Sequence, residues 1–294
     1  MQRLEVMDKN INRRQLLKGM GLVAMGASVS RSGFAWSILP SLNETTLKSN
    51  DDDGAIRDYL QKIRNFDQNH QEDIWIDRAQ YPVFESVVQR LRRLQRLVGY
   101  GNFNILSLTD GLRHASNFPD VGEFTRDELA FLESIFYAEG RQYGFLGQKP
   151  LKDITDRVRE GDVFKVPYSG HYLYKERSLD LYEVIKKELG DQVVLTSGVR
   201  GVMKQFLLFL NKAHRHDGNL SLASRSLAPP GYSFHGNGDF DVGQKGYGEY
   251  NFTERFTETE VYKRLSEMGY LQLRYPEDNQ LGVRYEPWHI KIKA

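Results

Sequence analysis

Residues 233–241 read Ser-Phe-His-Gly-Asn-Gly-Asp-Phe-Asp, and the prediction of the fold and its chemistry starts from this stretch. It places one imidazole, two glycines and two carboxylates on a short segment. Residues an even number apart share a face of an extended strand, so His235, Asp239 and Asp241 are expected on one side. The glycines allow a bulge or the close approach of another backbone. The pattern therefore predicts a strand that carries potential metal ligands.

A second segment near the C-terminus, residues 285–289, reads Tyr-Glu-Pro-Trp-His. Pro287 interrupts a regular ladder, which allows Glu286 and His289 to address one metal ion. Two imidazoles and one carboxylate, with water in the fourth position, form an open catalytic zinc site. Zinc lowers the pKa of a bound water towards ~7, and a carboxylate outside the coordination shell can take its proton. The two segments together predict a hydrolytic metal site.

The composition of the chain limits the classes of function. The 294 residues include 40 Lys and Arg against 39 Asp and Glu, which excludes a strongly basic nucleic-acid-binding protein. The absence of cysteine excludes disulfide scaffolds, thiol catalysis and thiolate zinc sites. The length is enough for one large domain or two modest ones with a sizeable core. Any metal must therefore be held by His, Asp and Glu, and nucleic acid is not an expected partner.

The N-terminus has the pattern of an export signal. Residues 12–18 read Asn-Arg-Arg-Gln-Leu-Leu-Lys, and an apolar run rich in Gly and Ala follows over residues 19–29. The arginine pair resembles the twin-arginine signal, which a receptor reads and which does not anchor the protein. An amphipathic first helix or an uncleaved anchor are the alternatives. We expect residues 1–35 to direct the chain to the periplasm or another exported location through the twin-arginine machinery, with no stable membrane span after their removal.

The remainder of the chain divides into regions that differ in polarity and hydrophobic periodicity. Residues 36–52 are polar and aperiodic and are expected to form a linker. Residues 51–160 show helical periodicity, with a helix over residues 82–98 and a capping box that starts a helix at Thr125, so this region is expected to be a helical domain or cap. Residues 161–294 mix helical and β-prone runs and are expected to form an α+β domain.

Several elements are expected in this second region. The β-prone runs are residues 163–166, 192–195 and 271–274, and the helical runs are residues 178–189, 199–213 and 258–268.

Three ordered motifs over roughly residues 160–294 resemble the LAS metallopeptidases. They are the segments 233–241 and 285–289 and the run Thr-Ser-Gly-Val-Arg at 196–200, which Gln205 follows. The last motif, with Leu-Arg-Tyr-Pro at 273–276, resembles the D-alanyl-D-alanine carboxypeptidase branch. The resemblance implies a small, mainly antiparallel sheet flanked by helices, which carries a zinc site and follows a helical N-terminal region.

The resemblance also assigns roles to residues. It implies that His235 and His289 are zinc ligands and that Glu286 is the general base. It places Arg200 against the polarised carbonyl or the substrate carboxylate, where a guanidinium matches an oxyanion or a carboxylate. Ser233 either holds substrate or forms a turn. Gln205 is expected on a helix surface and is left without a role.

The third ligand departs from the family pattern. Val242 stands where the family places its aspartate. Asp241 falls one residue short and is favoured, because Phe240 and Val242 flank it as apolar residues flank the family's aspartate. Asp239 remains the alternative ligand.

The other histidines are given less specific interpretations. His214 and His216 either chelate a second metal or lie at the solvated, basic end of a helix, which is the favoured reading. His171 either lines the cleft or is a structural histidine, and the structural role is favoured.

The predicted function is that of an exported zinc metallopeptidase, with one zinc per chain, that hydrolyses peptidoglycan stem peptides at D-Ala-D-Ala. A non-catalytic wall-binding module on the same fold is the alternative from another class. A zinc amidase or an endopeptidase of the cell wall is the enzymatic alternative.

Overall fold

The computed structural model of the protein describes residues 52–292. The predicted signal over residues 1–35 and nearly all of the predicted linker lie outside these residues. None of the helices in the described range is both long enough and apolar enough to cross a membrane.

The first helices are α1 (Asp52–Arg64), α2 (Tyr81–Val98), α3 (Leu108–Asn117) and α4 (Arg126–Tyr137). The apolar stripe of α2 is buried, as its periodicity predicts. Thr125 and Glu128 form the predicted capping box at the start of α4, because each side chain accepts a hydrogen bond from the backbone N–H of the other. The helix predictions for residues 82–98 and after Thr125 are confirmed.

The later helices are α5 (Ser178–Leu189), α6 (Val202–His214), α7 (Leu220–Ser224) and α8 (Glu260–Glu267). The helix predicted over residues 199–213 begins three residues later than expected. Its first residues are held in a loop instead, since the N–H of Val199 donates to the carbonyl of Tyr172 and that of Arg200 donates to the carbonyl of His235. Short 3₁₀ helices lie at Asn102–Ile105, Gly140–Tyr143, Glu160–Asp162, Gly190–Gln192, Phe234–Asn237, Gly248–Phe252 and Glu254–Glu258.

The helical core joins both halves of the chain. The buried faces of α2 and α4 pack in one apolar cluster with α6, which follows them by more than sixty residues. Phe136 of α4 and Phe206 of α6 meet with ring centroids 6.2 Å apart. Burying a large apolar side chain contributes about 1.5–3 kcal/mol, so this cluster fixes the position of α6. The domain boundary expected near residue 160 remains a prediction.

Two small antiparallel sheets complete the fold. Strand β1 (Val163–Lys165) pairs with β2 (Tyr172–Tyr174). A second sheet has the order β3 (Val193–Ser197), β4 (Phe240–Gln244) and β5 (His289–Ile290). The prediction of an α+β fold with a small, mainly antiparallel sheet flanked by helices is confirmed.

Two strand predictions are wrong in part. Residues 271–274 form no strand, and Leu273 makes only an isolated bridge to Ile290. A regular strand is interrupted there because the N–H of Gln272 donates to the carbonyl of Tyr270 in a tight turn. Residues 235–239 are not extended either: a 3₁₀ helix covers Phe234–Asn237, and Gly238 has a φ of 116°, which favours glycine. The strand starts only at Phe240.

Candidate metal centre

His235 is positioned by the 3₁₀ helix that precedes β4. Its ring is buried, and its Nδ1 lies 2.8 Å from the carbonyl oxygen of Gly198, which can only accept a hydrogen bond. Nδ1 therefore carries the proton, and the lone pair is on Nε2. Nε2 is buried and has no hydrogen-bond partner in the described structure. One imidazole nitrogen is thus oriented by the backbone and left available as a ligand.

Asp241 lies on the central strand of the three-stranded sheet. Its neighbours Phe240 and Val242 are buried in the apolar core beneath the sheet, so strand alternation turns Asp241 to the opposite face. Its Oδ2 accepts a hydrogen bond of 2.6 Å from Nη2 of Arg200. Its Oδ1 is buried without a hydrogen-bond partner and lies 3.2 Å from Nε2 of His235.

His289 reaches the same point from β5, where it pairs directly with Asp241 in the register of the sheet. Its Nδ1 lies 3.5 Å from Oδ1 of Asp241. Its Nε2 lies 3.0 Å from Oδ2 of Asp239. The two nitrogens of His289 therefore face different carboxylates, and Nδ1 is the one directed at the cluster.

Asp239 is already saturated by other partners. Nε and Nη2 of Arg274 donate to its two oxygens over 2.7 and 3.0 Å, and the N–H of Ile292 donates to Oδ1 over 2.9 Å. Together with the contact to His289, these bonds use both oxygens. The structure thus brings Asp241 into the cluster of potential ligands and places Asp239 behind His289.

The three residues His235, Asp241 and His289 meet the requirements of a zinc site. One ligand atom from each lies within 4.8 Å of the others, and all three residues are buried. Unpartnered polar atoms are costly to bury, and an ion between Nε2 of His235 and Oδ1 of Asp241 would remove that cost. Two imidazole nitrogens and one carboxylate match the donor set of a catalytic zinc. The residues present therefore fit the ion.

The charges around the cluster favour ionised carboxylates. Burial by itself would raise the pKa of Asp241, but His235 and Arg200 outweigh it and hold the pKa well below its usual range. Burial likewise would lower the pKa of His289, but hydrogen bonds to Asp239 and Glu286 raise it to about 9. A histidine must be neutral to ligate a metal, so a zinc ion held by His289 would displace a proton from it.

Glu286 lies at the edge of the cluster. Its side chain is nearly buried, and its Oε2 is 3.2 Å from Nδ1 of His289. The backbone fixes this position, because the N–H of Glu286 donates to the carbonyl of Tyr275 and that of His289 donates to the carbonyl of Glu286. The turn that contains Pro287 thus brings the carboxylate beside the histidine, as the spacing of the two residues predicts.

Arg200 lies on the wall of the same cavity. Its Nε donates to Oγ of Ser197 over 2.9 Å, in addition to the bond to Asp241. Its backbone carbonyl accepts a bond of 2.8 Å from Nε2 of Gln205, whose Oε1 accepts one from the N–H of Gly231. Gln205 is buried, so its expected surface position is wrong. The motif position of Gln205 after Arg200 was the available signal for this bracing role.

The cluster opens into a cavity of about 400 Å³. Ser233 is buried in its wall, and its carbonyl accepts the hydrogen bond that closes the 3₁₀ turn at Gly236, so it both forms a turn and faces the cavity. His171 lines the cavity as well, and burial lowers its pKa to about 4. Lining residues outside the motifs that the sequence singled out include Phe66, Lys204, Lys212 and Arg284.

The second metal site considered at His214 and His216 has no support in the structure. His214 lies 3.9 Å from a carboxylate oxygen of Glu85 and against the ring of Phe84. Within residues 52–292, the group formed by His235, Asp241 and His289 is the one set of three or more such side chains close enough to share an ion.

Comparison with known proteins agrees with the motifs. Residues 172–293 match the family model VanY, described as D-alanyl-D-alanine carboxypeptidase. No curated protein sequence is significantly similar to the chain.

Three solved structures are similar to parts of this chain, with low TM-scores. The LdcB LD-carboxypeptidase is 24% identical over 46% of this chain and 69% of its own, with a TM-score of 0.38. VanYB in complex with D-alanine-D-alanine is 22% identical over 51% and 84%, with a TM-score of 0.38. The D,D-dipeptidase VanXYg is 16% identical over 54% and 64%, with a TM-score of 0.41. These scores are too low to add to the argument, which rests on the family model. The resemblance predicted from the motifs is confirmed: residues 172–293, which contain all three potential metal ligands, match the model of the D-alanyl-D-alanine carboxypeptidase family VanY.

Proposed function

We propose that this protein is a zinc-dependent peptidase that hydrolyses peptidoglycan stem peptides at a terminal D-Ala-D-Ala. One observation carries the proposal. Two buried polar atoms without partners, Nε2 of His235 and Oδ1 of Asp241, meet Nδ1 of His289 in a cavity, and the carboxylate of Glu286 lies beside them. The family match over residues 172–293 supports the choice of substrate.

His235, Asp241 and His289 would hold one zinc ion per chain. When bound, zinc would polarise the scissile carbonyl and make a nucleophilic water available near neutral pH. Gly198, Arg200 and Asp239 each fix one ligand through its remaining polar atom, and such outer contacts orient the ligands.

Glu286 is the proposed general base and acid. Its carboxylate accepts the proton of the attacking water and returns it to the amine of the leaving D-alanine. The backbone bonds of Glu286 to Tyr275 and His289 hold the carboxylate in place for both transfers.

Arg200 and Ser233 are the proposed substrate contacts. The guanidinium of Arg200 is anchored by Ser197 and Asp241, so it faces the developing oxyanion without having to reorganise. Ser233 in the cavity wall is placed to hold the peptide.

The Glu286→Gln variant tests this proposal. Gln keeps the shape of the side chain but cannot accept a proton, so hydrolysis should fall by about 10²–10⁴-fold while zinc content stays near one per chain. Mass spectrometry of digested stem pentapeptides and metal analysis measure the two quantities. Glu267→Gln, in an exposed ion pair on α8, is the matched control and should behave as the wild type.

Each outcome of this experiment discriminates between functions. Release of D-alanine by the wild type supports the carboxypeptidase, whereas release of an intact stem peptide from sacculi indicates an amidase, and an internal cut indicates an endopeptidase. A wild type that binds stem peptides without cleaving them, and a Glu286→Gln variant that behaves identically, would establish a binding module. Loss of zinc from Glu286→Gln would make Glu286 a ligand.

Export through the twin-arginine machinery is also proposed, on the sequence of residues 12–29 alone. A substrate in the cell wall requires an exported enzyme. Changing Arg13 and Arg14 together to Lys keeps the charge but removes the paired guanidinium groups. The variant should accumulate in the cytoplasm with its signal uncleaved, as fractionation and mass measurement would show. Normal delivery outside the inner membrane would favour the general secretory route.

A further inference from the structure

Helix α6 presents a basic stripe to the cavity. Most of the helix is buried, but Lys204, Leu208 and Lys212 are only half-buried and recur every four residues. All three line the cavity of the metal centre. Because a helix rises about 1.5 Å per residue, Lys204 and Lys212 are separated by about 12 Å along its axis. The cavity therefore has cations along its length as well as at the metal end.

Arg284 adds a third cation to the same cavity. Its guanidinium carbon lies 4.5 Å from the ring centroid of Phe66 and 4.8 Å from that of Trp288, so two aromatic rings hold it. Its Nη2 donates to the carbonyl of Phe252, while its Nε is buried and has no hydrogen-bond partner in the described structure.

The two lysines lack such partners, unlike Arg284. In the part of the chain that the structure describes, neither Lys204 nor Lys212 has a hydrogen bond or an ion pair with a protein group. Burial, and then the nearby Arg200, lower the pKa of Lys204 to about 8. Burial, and then Arg284, lower the pKa of Lys212, and the more weakly acting carboxylate of Asp67 only partly opposes them. Partly desolvated cations that repel one another are costly, and a bound anion would offset that cost.

We propose that Lys212 and Arg284, with Lys204 lying nearer the metal centre, form an anion subsite that binds a side-chain or α-carboxylate of the peptide substrate on the acyl side of the cleaved bond. This inference rests on the proposed function. It makes the preferred substrate an acidic peptide, with a carboxylate several residues before the scissile bond.

The geometry of α6 selects the acyl side. The helix begins next to Arg200, which contacts the metal ligand Asp241, and runs from there to Lys212. Val202 and Lys212 are about 15 Å apart along the axis, and an extended peptide covers about 3.3–3.6 Å per residue. That distance corresponds to about four residues. A carboxypeptidase has a single residue on the leaving side, so a carboxylate at the far end of the stripe must belong to the acyl side.

Matched peptides test the subsite. Acetylated hexapeptides that end in D-Ala-D-Ala would carry either glutamate or glutamine at one of the three positions before that dipeptide. For the zinc-loaded wild type, kcat/KM should be about tenfold higher for the glutamate peptide at one or more positions, since charge-assisted hydrogen bonds are strong. Lys212→Met, which keeps the apolar stem of the side chain, should abolish the preference, so that kcat/KM no longer differs between the glutamate and glutamine peptides.

Lys187→Met is the matched control, because Lys187 is exposed on α5 and lies outside this cavity. It makes the same change in net charge and should retain the preference. Equal kcat/KM for both peptides at every position would overturn the subsite and leave the proposed function standing. Loss of the preference in Lys187→Met as well would also overturn it, because the effect would then come from overall charge.

Failure of the proposed function gives a different result. If no hexapeptide is cleaved, calorimetry of the same peptides with the zinc-loaded protein decides the subsite. Tighter binding of the glutamate peptide that is lost in Lys212→Met supports the anion subsite, and equal affinities overturn it.

Discussion

Two buried carboxylate–guanidinium pairs in this protein differ in whether both oxygens of the carboxylate have hydrogen-bond partners. Asp73, in the segment between α1 and α2, pairs with Arg225, which follows α7. Asp241 pairs with Arg200 at the metal centre. The carboxylate side chains are equally hidden, with 3% of each exposed. Burial of the carboxylate therefore does not distinguish the two pairs.

The partners of the four oxygens distinguish the pairs. Nη1 and Nη2 of Arg225 donate to the two oxygens of Asp73, and Oδ2 also accepts from Asn219 and from the N–H of His70. Asp241 has Oδ2 bound to Arg200 but Oδ1 without a partner. A saturated carboxylate stabilises the fold, whereas a buried oxygen left unpaired indicates that a ligand belongs there.

The largest expected effect is the loss of zinc from Asp241→Ala. Removing one of three ligands from an open site should reduce bound zinc from about one per chain to near zero and abolish hydrolysis. Metal analysis of the folded, desalted protein measures this. Asp73→Ala should retain zinc in every molecule that folds. An Asp241→Ala variant that keeps zinc, beside an Asp239→Ala variant that loses it, would show that the ligand assignment is reversed.

The second prediction concerns stability. Arg225→Met leaves the buried carboxylate of Asp73 without its cation, which should lower the free energy of unfolding by about 3–5 kcal/mol. Urea denaturation followed by circular dichroism gives this value. Arg264→Met breaks an exposed pair with Glu267 and should cost about 1 kcal/mol or less. Equal losses in the two variants would refute the structural role assigned to Arg225, as would a loss of zinc from folded Arg225→Met.

A smaller effect is expected at Asp239. Asp239→Asn removes the charge that holds Nε2 of His289 but leaves all three proposed ligands, so zinc affinity should fall by about 10–100-fold without loss of the site. Competition with a chelator of known affinity measures the change. Asp191→Asn, an exposed aspartate paired with Lys186, is the control and should bind zinc as the wild type does. Complete loss of zinc would instead make Asp239 a ligand.

The smallest expected effect is on thermal stability at acid pH. Burial by itself would raise the pKa of Asp73, but hydrogen bonds from Arg225 and Asn219 lower it from 3.8 to about 2. A lowered pKa in the folded state means that the ionised carboxylate stabilises the fold above pH 3.8 and that this contribution is lost as the pH falls towards 2. Thermal melting between pH 5 and about pH 2 should show a steeper decline for the wild type than for Asp73→Asn. Parallel curves would contradict the assignment.

Much of the fold and of the candidate site followed from local patterns in the sequence. The apolar stripe of α2 and the capping box at Thr125 depend on residues three or four positions apart, and neighbours at that distance decide whether a helix forms. The motifs likewise singled out His235, Glu286 and His289, because each has an unusual immediate context. The α+β fold class and the family match agree with those local signals.

Only the tertiary structure decided which buried oxygens and nitrogens remain without hydrogen-bond partners and so can bind a ligand. The even spacing of Asp239 and Asp241 does not distinguish them, but Arg274 saturates one and the register of β3, β4 and β5 turns the other towards His235. Gln205 shows the same limit, since the motif marks its position but only folding shows that its side chain braces Arg200. The basic cavity wall combines α6 with a loop that follows it by seventy residues. Sequence patterns report on neighbours along the chain, whereas hydrogen-bond saturation depends on partners that only folding brings together.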